Sequence, residues 1–283
     1  MRVRVPFSPL PIDQSEVVYE YGPDSFPRPG AGRGRTARLV LADSRAYPGT
    51  TRDVWVHVPA SAPTDRALAC MVFQEGGGFL DPEGDARAAI VLDNLVDAGQ
   101  IPPMVGIFVD PGVIPEDDAR VRGNRNAEYD AFDGRYADFL LDEVLPLASE
   151  RVDISADPEH RGLCGFSSGG NAAFTAAWHR PDGFAKVIGF SSSFAQMPQG
   201  NPYPPLIRAE AARPLRVFLH AGHRDLGWDE ADHNWLAENL LVSAALAHRG
   251  YDFRIVLGDG GHTANHAGVL LPDALRWLWR DQG

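Results

Sequence analysis

The chain has 283 residues, of which 44% are hydrophobic, enough for the core of one large α/β domain. A net charge of −12 and a pI near 5.1 argue against binding to nucleic acid or to an anionic membrane surface. No stretch is long and apolar enough to span a bilayer, and Met1-Arg2-Val3-Arg4-Val5-Pro6 lacks the apolar core of a signal peptide, so a cytoplasmic location is expected.

In chain order, residues 1–32 are rich in Pro and Gly and show no periodicity. They read as an arm lying over the surface of a domain formed by residues 33–283, or as partly disordered. Strands are predicted at 37–41, 54–59 and 67–73, a helix at 87–98, a strand at 104–109 and a long loop over 111–128. A helix at 136–148 carries Phe139, Leu140, Val144, Leu145 and Leu147 at helical spacing. Arg161-Gly162-Leu163-Cys164 reads as a short buried strand and 171–178 as a helix rich in small residues. Strands at 186–190, 215–219 and 253–257, with helices at 235–248 and 267–279, complete the chain. Two hairpin-like strands followed by alternating strand and helix imply a mostly parallel central sheet with helices on both faces and no large cap domain. Functional residues in such sheets gather at the carboxyl ends of the strands, with the loops at 111–128 and 191–206 as walls. Cys70 and Cys164 lie in apolar strand-like runs and are expected as buried free thiols.

The run Gly165-Phe166-Ser167-Ser168-Gly169-Gly170 falls where a strand hands over to a helix. A Gly-x-Ser-x-Gly there forms a sharp turn that strains the serine backbone and exposes its hydroxyl at the top of the sheet. Ser167 is therefore the candidate nucleophile, with the amide of Ser168 pointing into the same space.

A serine hydroxyl needs a base. His262 follows the turn Gly258-Asp259-Gly260-Gly261 after the last predicted strand, at the same end of the sheet; His266, four residues on, is the alternative. An acid must fix the imidazole tautomer, and the turn after 215–219 supplies Asp225, with Asp229, Glu230 and Asp232 close by. The order Ser167, Asp225, His262 is that of α/β-hydrolases.

Donors for a tetrahedral oxyanion are expected from Gln74-Glu75-Gly76-Gly77-Gly78-Phe79, which follows the third strand directly. The amides of Gly77 and Ser168 are the expected pair, with Gly76 as substitute, each donor worth about 3 kcal/mol. His220, His223 and Asp225 crowd one segment, but no metal-binding motif accompanies them, and neither a metal nor another cofactor is expected. Weaker candidates for substrate contact are Gly76; Phe79, with Leu80, on the acyl side; Arg125, which alternatively pairs locally with Glu128; and Trp235, for ring stacking or core packing.

The chain resembles the enterochelin-esterase-like group of the esterase D superfamily of α/β-hydrolases. The resemblance rests on Tyr21-Gly22-Pro23-Asp24-Ser25, Asp53-Val54-Trp55-Val56-His57-Val58-Pro59, Val72-Phe73-Gln74-Glu75-Gly76-Gly77-Gly78, Asn124-Arg125-Asn126-Ala127-Glu128-Tyr129-Asp130, the serine turn and Gly260-Gly261-His262. It extends to the closing run from Leu271 to Trp279. It implies an esterase with Ser167 as nucleophile, His262 as base and Asp225 as acid, acting on siderophore, feruloyl, acetyl-sugar or other small-molecule esters. Glu75 stands where aspartate is more usual, and His220 where glutamine is common. An acyltransferase using the same site, with an alcohol in place of water, is the alternative. A non-catalytic binding protein on the same scaffold is a third reading, and the intact serine, histidine and glycine loop count against it.

Overall fold

The computed structural model describes residues 17–114 and 118–282. Among the described residues, eight strands form one sheet: β1 (Arg35–Leu41), β2 (Arg52–Val58), β3 (Ala69–Gln74), β4 (Met104–Val109), β5 (Arg161–Phe166), β6 (Lys186–Phe190), β7 (Arg216–Gly222) and β8 (Asp252–Gly258). Their order is β1-β2-β4-β3-β5-β6-β7-β8. The first two pairings, β1 with β2 and β2 with β4, are antiparallel, and every later one is parallel. The expected mostly parallel α/β sheet is found.

The interior strands are apolar on both faces because both faces are covered. On β3, Cys70 and Val72 join one core with Leu163, Val187 and Val217. Met71 and Phe73 face the opposite core with Cys164, Ile188 and Phe218. Successive side chains of a strand point to opposite faces, so this alternation is the pleat itself. The first core is roofed by α4 (Arg135–Phe139), α5 (Leu145–Ser149), α6 (Ser168–His179), α7 (Tyr203–Ala209) and α8 (Trp235–His248). The second is roofed by α1 (Gly76–Leu80), α2 (Ala88–Asp97) and α9 (Ala264–Leu278). Both cysteines are buried and free, and burial pushes the Cys70 thiol up to about 12.

Away from the glycine run, three elements differ from expectation. The predicted loop at 111–128 contains α3 (Asp118–Tyr129), hidden because Asp118-Ala119-Arg120-Val121-Arg122-Gly123-Asn124-Arg125-Asn126-Ala127-Glu128-Tyr129 is too polar to show an apolar period. The helix read at 136–148 is α4 and α5 joined by a π-helical turn, Leu140–Val144. Pro146 follows that turn; it lacks an amide proton and cannot continue a regular ladder. Within the predicted 191–206 wall, α7 starts on Tyr203-Pro204-Pro205, prolines being tolerated in a first helical turn.

Where described, the arm runs over α2 and α9. Asn94 donates to the carbonyls of Asp24 and Phe26, both at 2.8 Å, and Arg276 pairs with Asp24 at 2.5 Å. Residues 1–16 of the predicted arm lie outside the described residues. No helix among the described residues is long and apolar enough to cross a membrane.

A buried ion pair hangs α3 on the sheet. Arg52 on β2 donates to both carboxylate oxygens of Glu128, at 2.6 and 2.9 Å, with both side chains fully buried. The guanidinium also lies 4.3 Å from the centre of the Phe139 ring. Truncating one partner strands the other charge in the core. Arg52→Ala is therefore expected to lower unfolding free energy by about 3–5 kcal/mol, read by urea denaturation.

Candidate active site

At the end of β5 the chain turns sharply through Ser167, whose φ of 57° and ψ of −126° are held by its surroundings. Its amide donates to the Phe190 carbonyl at 2.9 Å, and its carbonyl accepts from the Ser193 amide at 3.1 Å. Gly165 lets α6 pass close to β5: a Cβ there would lie 2.2 Å from the backbone of Gly169. The result is a hydroxyl at the carboxyl edge of the sheet, beside the first turn of α6.

Two far-apart segments reach this hydroxyl. His262 Nε2 lies 2.9 Å from Ser167 Oγ, and His262 Nδ1 lies 2.6 Å from Asp225 Oδ1. Asp225 is fully buried after β7 and also accepts from the amides of Leu226, at 2.8 Å, and Gly222, at 3.4 Å. Burial alone would raise its carboxyl pKa, but the bond to His262, the charge of that imidazole, the Leu226 amide and the Ser191 side chain outweigh it and hold the group below the usual carboxylate range. The imidazole sits beside Phe166, 4.7 Å between ring centres, and Trp235, 6.3 Å. Asp229, Glu230 and Asp232 are exposed, so Asp225 is the acid that meets His262.

The alternative base, His266, points elsewhere. It is buried, and its Nδ1 lies 2.8 Å from His220 Nε2. Burial and the proximity of His266 push the His220 imidazole down to about 3, so His220 is neutral near pH 7. His220 and Asp225 thus face different histidines, and among the described residues no cluster of His, Cys, Asp or Glu is arranged to hold a metal ion.

Sequence reasoning missed Ser193. Its Oγ lies 3.1 Å from Ser167 Oγ and accepts a hydrogen bond from Trp235 Nε1 at 3.1 Å. With Asp225 ionised and only accepting, His262 carries its proton on Nδ1 and presents a bare Nε2 to the Ser167 proton. Ser167 Oγ, its own proton so committed, is then the acceptor in its contact with Ser193, which donates. The available signal was Ser191-Ser192-Ser193 at the carboxyl end of β6. Trp235, expected at a helix start either as a stacking platform or as packing, is buried and spends its N–H on this chain.

Asp130 was also missed as a hub. Its buried carboxylate accepts from Asn126 (2.9 Å), Gln196 (3.0 Å), Ser168 Oγ (3.2 Å) and Asn171 (3.3 Å), tying α3, the 191–206 wall and the start of α6 together.

The glycine loop differs from expectation. It forms α1, and the Gly77 amide donates to Asp110 Oδ1 at 2.9 Å. Burial raises the Asp110 pKa against the pull of that bond, with Asp53 and Glu75 adding like charge. Ser168 opens α6, so its amide has no acceptor within the helix. Gly76 is a packing residue: a Cβ there would lie 2.4 Å from the backbone of Phe108 and Val109. Phe79 is buried against Phe73, 5.4 Å between ring centres, in the second core. Arg125 does not pair with Glu128, which Arg52 takes; it binds both oxygens of Glu75, at 2.6 and 2.9 Å, on the strand-to-helix turn before the glycines.

A mostly parallel sheet with a serine turn at the carboxyl end of its central strand is the α/β-hydrolase architecture. The chain belongs to the putative esterase family, whose pattern matches residues 45–277. It is 28% identical over 261 residues to an iron(III) enterobactin esterase of Dickeya dadantii (strain 3937), covering 86% of this chain and 55% of that one. In structure it is similar to the enterobactin esterase of Shigella flexneri in the presence of enterobactin, with TM-score 0.72 and 22% identity over 88% of this chain and 60% of that one. It is also similar to a ferulic acid esterase of Anaeromyces mucronatus in the absence of substrate, with TM-score 0.70 and 17% identity over 90% and 94%. The chain thus spans about half the length of the Dickeya dadantii relative.

Proposed function

We propose that the chain is a serine esterase that hydrolyses a small-molecule carboxylic ester through an acyl-enzyme on Ser167. The observation carrying this reading is the 2.9 Å contact between Ser167 Oγ and His262 Nε2, with the far nitrogen on buried Asp225. Ser167 Oγ attacks the ester carbonyl while its proton passes to Nε2, and Asp225 stabilises the imidazolium. The imidazolium then protonates the leaving alkoxide. A water loses its proton to Nε2, attacks the acyl carbon and releases the acid as Ser167 regains its proton.

The developing oxyanion is met by the Ser168 amide at the start of α6. The Gly77 amide joins it when the Asp110 carboxylate releases that N–H to the incoming oxygen. The Ser193 proton steadies Ser167 Oγ before attack. Ser193→Ala is expected to lower kcat by about 3- to 10-fold, the worth of one hydrogen bond, with little change in KM for p-nitrophenyl acetate.

The names of the relatives, enterobactin esterase and ferulic acid esterase, point to siderophore and feruloyl esters as the first substrates to try. The buried free thiols of Cys70 and Cys164 suit a reducing compartment, and cytoplasmic action is part of this reading. A panel of p-nitrophenyl, catecholate-serine, feruloyl-sugar and acetyl-sugar esters tests it. Turnover of at least one class that depends on Ser167 supports the reading; no turnover of any class contradicts it.

A further inference from the structure

We propose that Tyr19, in the N-terminal arm, is a positioning residue that fixes the loop carrying His262. The inference rests on the esterase reading above.

His262 stands between β8, which ends at Gly258, and α9, which starts at Ala264. Two of the residues leading to it are Gly260 and Gly261, whose backbones lose the most freedom when a loop is fixed. One side of this loop is held by the turn carrying Asp225, where the amides of His223 and Arg224 donate to the carbonyls of Gly258 (2.7 Å) and Gly260 (3.1 Å). The opposite support comes from a residue some 240 positions away in sequence.

Tyr19 spends every polar atom on the segment flanking His262. Its hydroxyl accepts from the Asp259 amide at 2.7 Å, three residues before the imidazole. Its amide donates to Asn265 Oδ1 at 2.7 Å and its carbonyl accepts from Asn265 Nδ2 at 3.1 Å, three residues after it. Its ring lies flat on His266, 3.8 Å between centres and 10° between planes. The neighbouring residues Val18 and Glu20 face solvent, while Tyr19 is half-buried and turned toward the domain.

Tyr19 thus spans the loop from Asp259 to His266 and bridges its two ends. With the ends fixed, the imidazole is held at 2.9 Å from Ser167 Oγ without being touched by the arm. Small losses of such alignment reduce the rate of the chemical step more than they weaken binding.

The test compares the full chain with Tyr19→Ala and Tyr19→Phe, reading kcat and KM on p-nitrophenyl acetate, Tm, and amide hydrogen exchange along residues 256–266. For Tyr19→Ala, kcat is expected to fall about 10- to 50-fold with KM within about threefold, and exchange at 259–263 to quicken at least about tenfold while distant strands keep their rates. Tyr19→Phe keeps the ring stack and the backbone clamp and is expected to lose less than about fivefold in kcat. Unchanged kcat would overturn the inference, whatever the exchange rates. So would a loss confined to KM, which would make the arm a substrate contact, or faster exchange throughout the protein, which would make it a general brace. If the wild-type chain hydrolyses no ester, the esterase reading fails by itself, and loop exchange in Tyr19→Ala alone decides whether the arm orders the loop.

Discussion

Ser167→Ala is expected to abolish ester hydrolysis, lowering kcat by about 10⁴- to 10⁶-fold while the protein stays folded. The size follows from what one oxygen does. It forms the bond to the acyl carbon, and no other hydroxyl takes its place. Ser193 Oγ is 3.1 Å away but, among the described residues, meets no base: its further partner there is the indole N–H of Trp235, which only donates. The residual rate is that of amides aimed at a carbonyl attacked by water. Stability is little affected, because alanine keeps the turn that Gly165 and the backbone bonds to Phe190 and Ser193 impose. A Tm within a few degrees of wild type alongside lost turnover marks the loss as chemical.

His262→Ala is expected to cause a loss of the same order, because nucleophile and base act as one unit and removing either disables the same step. His266→Ala supplies the contrast. It deletes an imidazole that faces His220 and Tyr19 and never meets Ser167. Its expected loss in kcat is below about 100-fold, transmitted through the Tyr19 stack, with a lower Tm because His220 Nε2 is left without its buried partner. Steady-state kinetics on one activated ester for both variants separate the two histidines. A severe His266 variant beside a mild His262 variant would reverse the assignment of the base.

What could be read from the sequence was local. The strand before Ser167 and the helix after it are contiguous runs; β4 and β6 fall on the predicted residues because burial on both faces writes uninterrupted apolar runs into strands, and α8 falls on its predicted residues too. Ser167, Asp225 and His262 were legible through the order of turns at one end of the sheet. The pairings between distant segments were not. Arg125 and Glu128 sit three apart on α3 yet take Glu75 and Arg52, because a tertiary partner at bonding distance outcompetes a solvated neighbour on the same helix. Likewise Asp110, on the far side of β4 from Gly77 in sequence, claims an amide that the glycine run alone left open. Phe79 follows the same rule: the chain turns at Glu75, with φ of 56°, Gly76 lets α1 pack closely on β4, and the ring enters the second core.

The most direct measurement is reaction of the chain with a fluorophosphonate, followed by intact mass and peptide mapping. Attack by an activated serine displaces fluoride and leaves one phosphonyl group bonded to oxygen. The expected result is one adduct per chain, on the peptide containing Ser167, at a rate that falls at least about 10³-fold in His262→Ala. Ester turnover that continues with Ser167 unlabelled, or a label settling on another residue, would contradict the account.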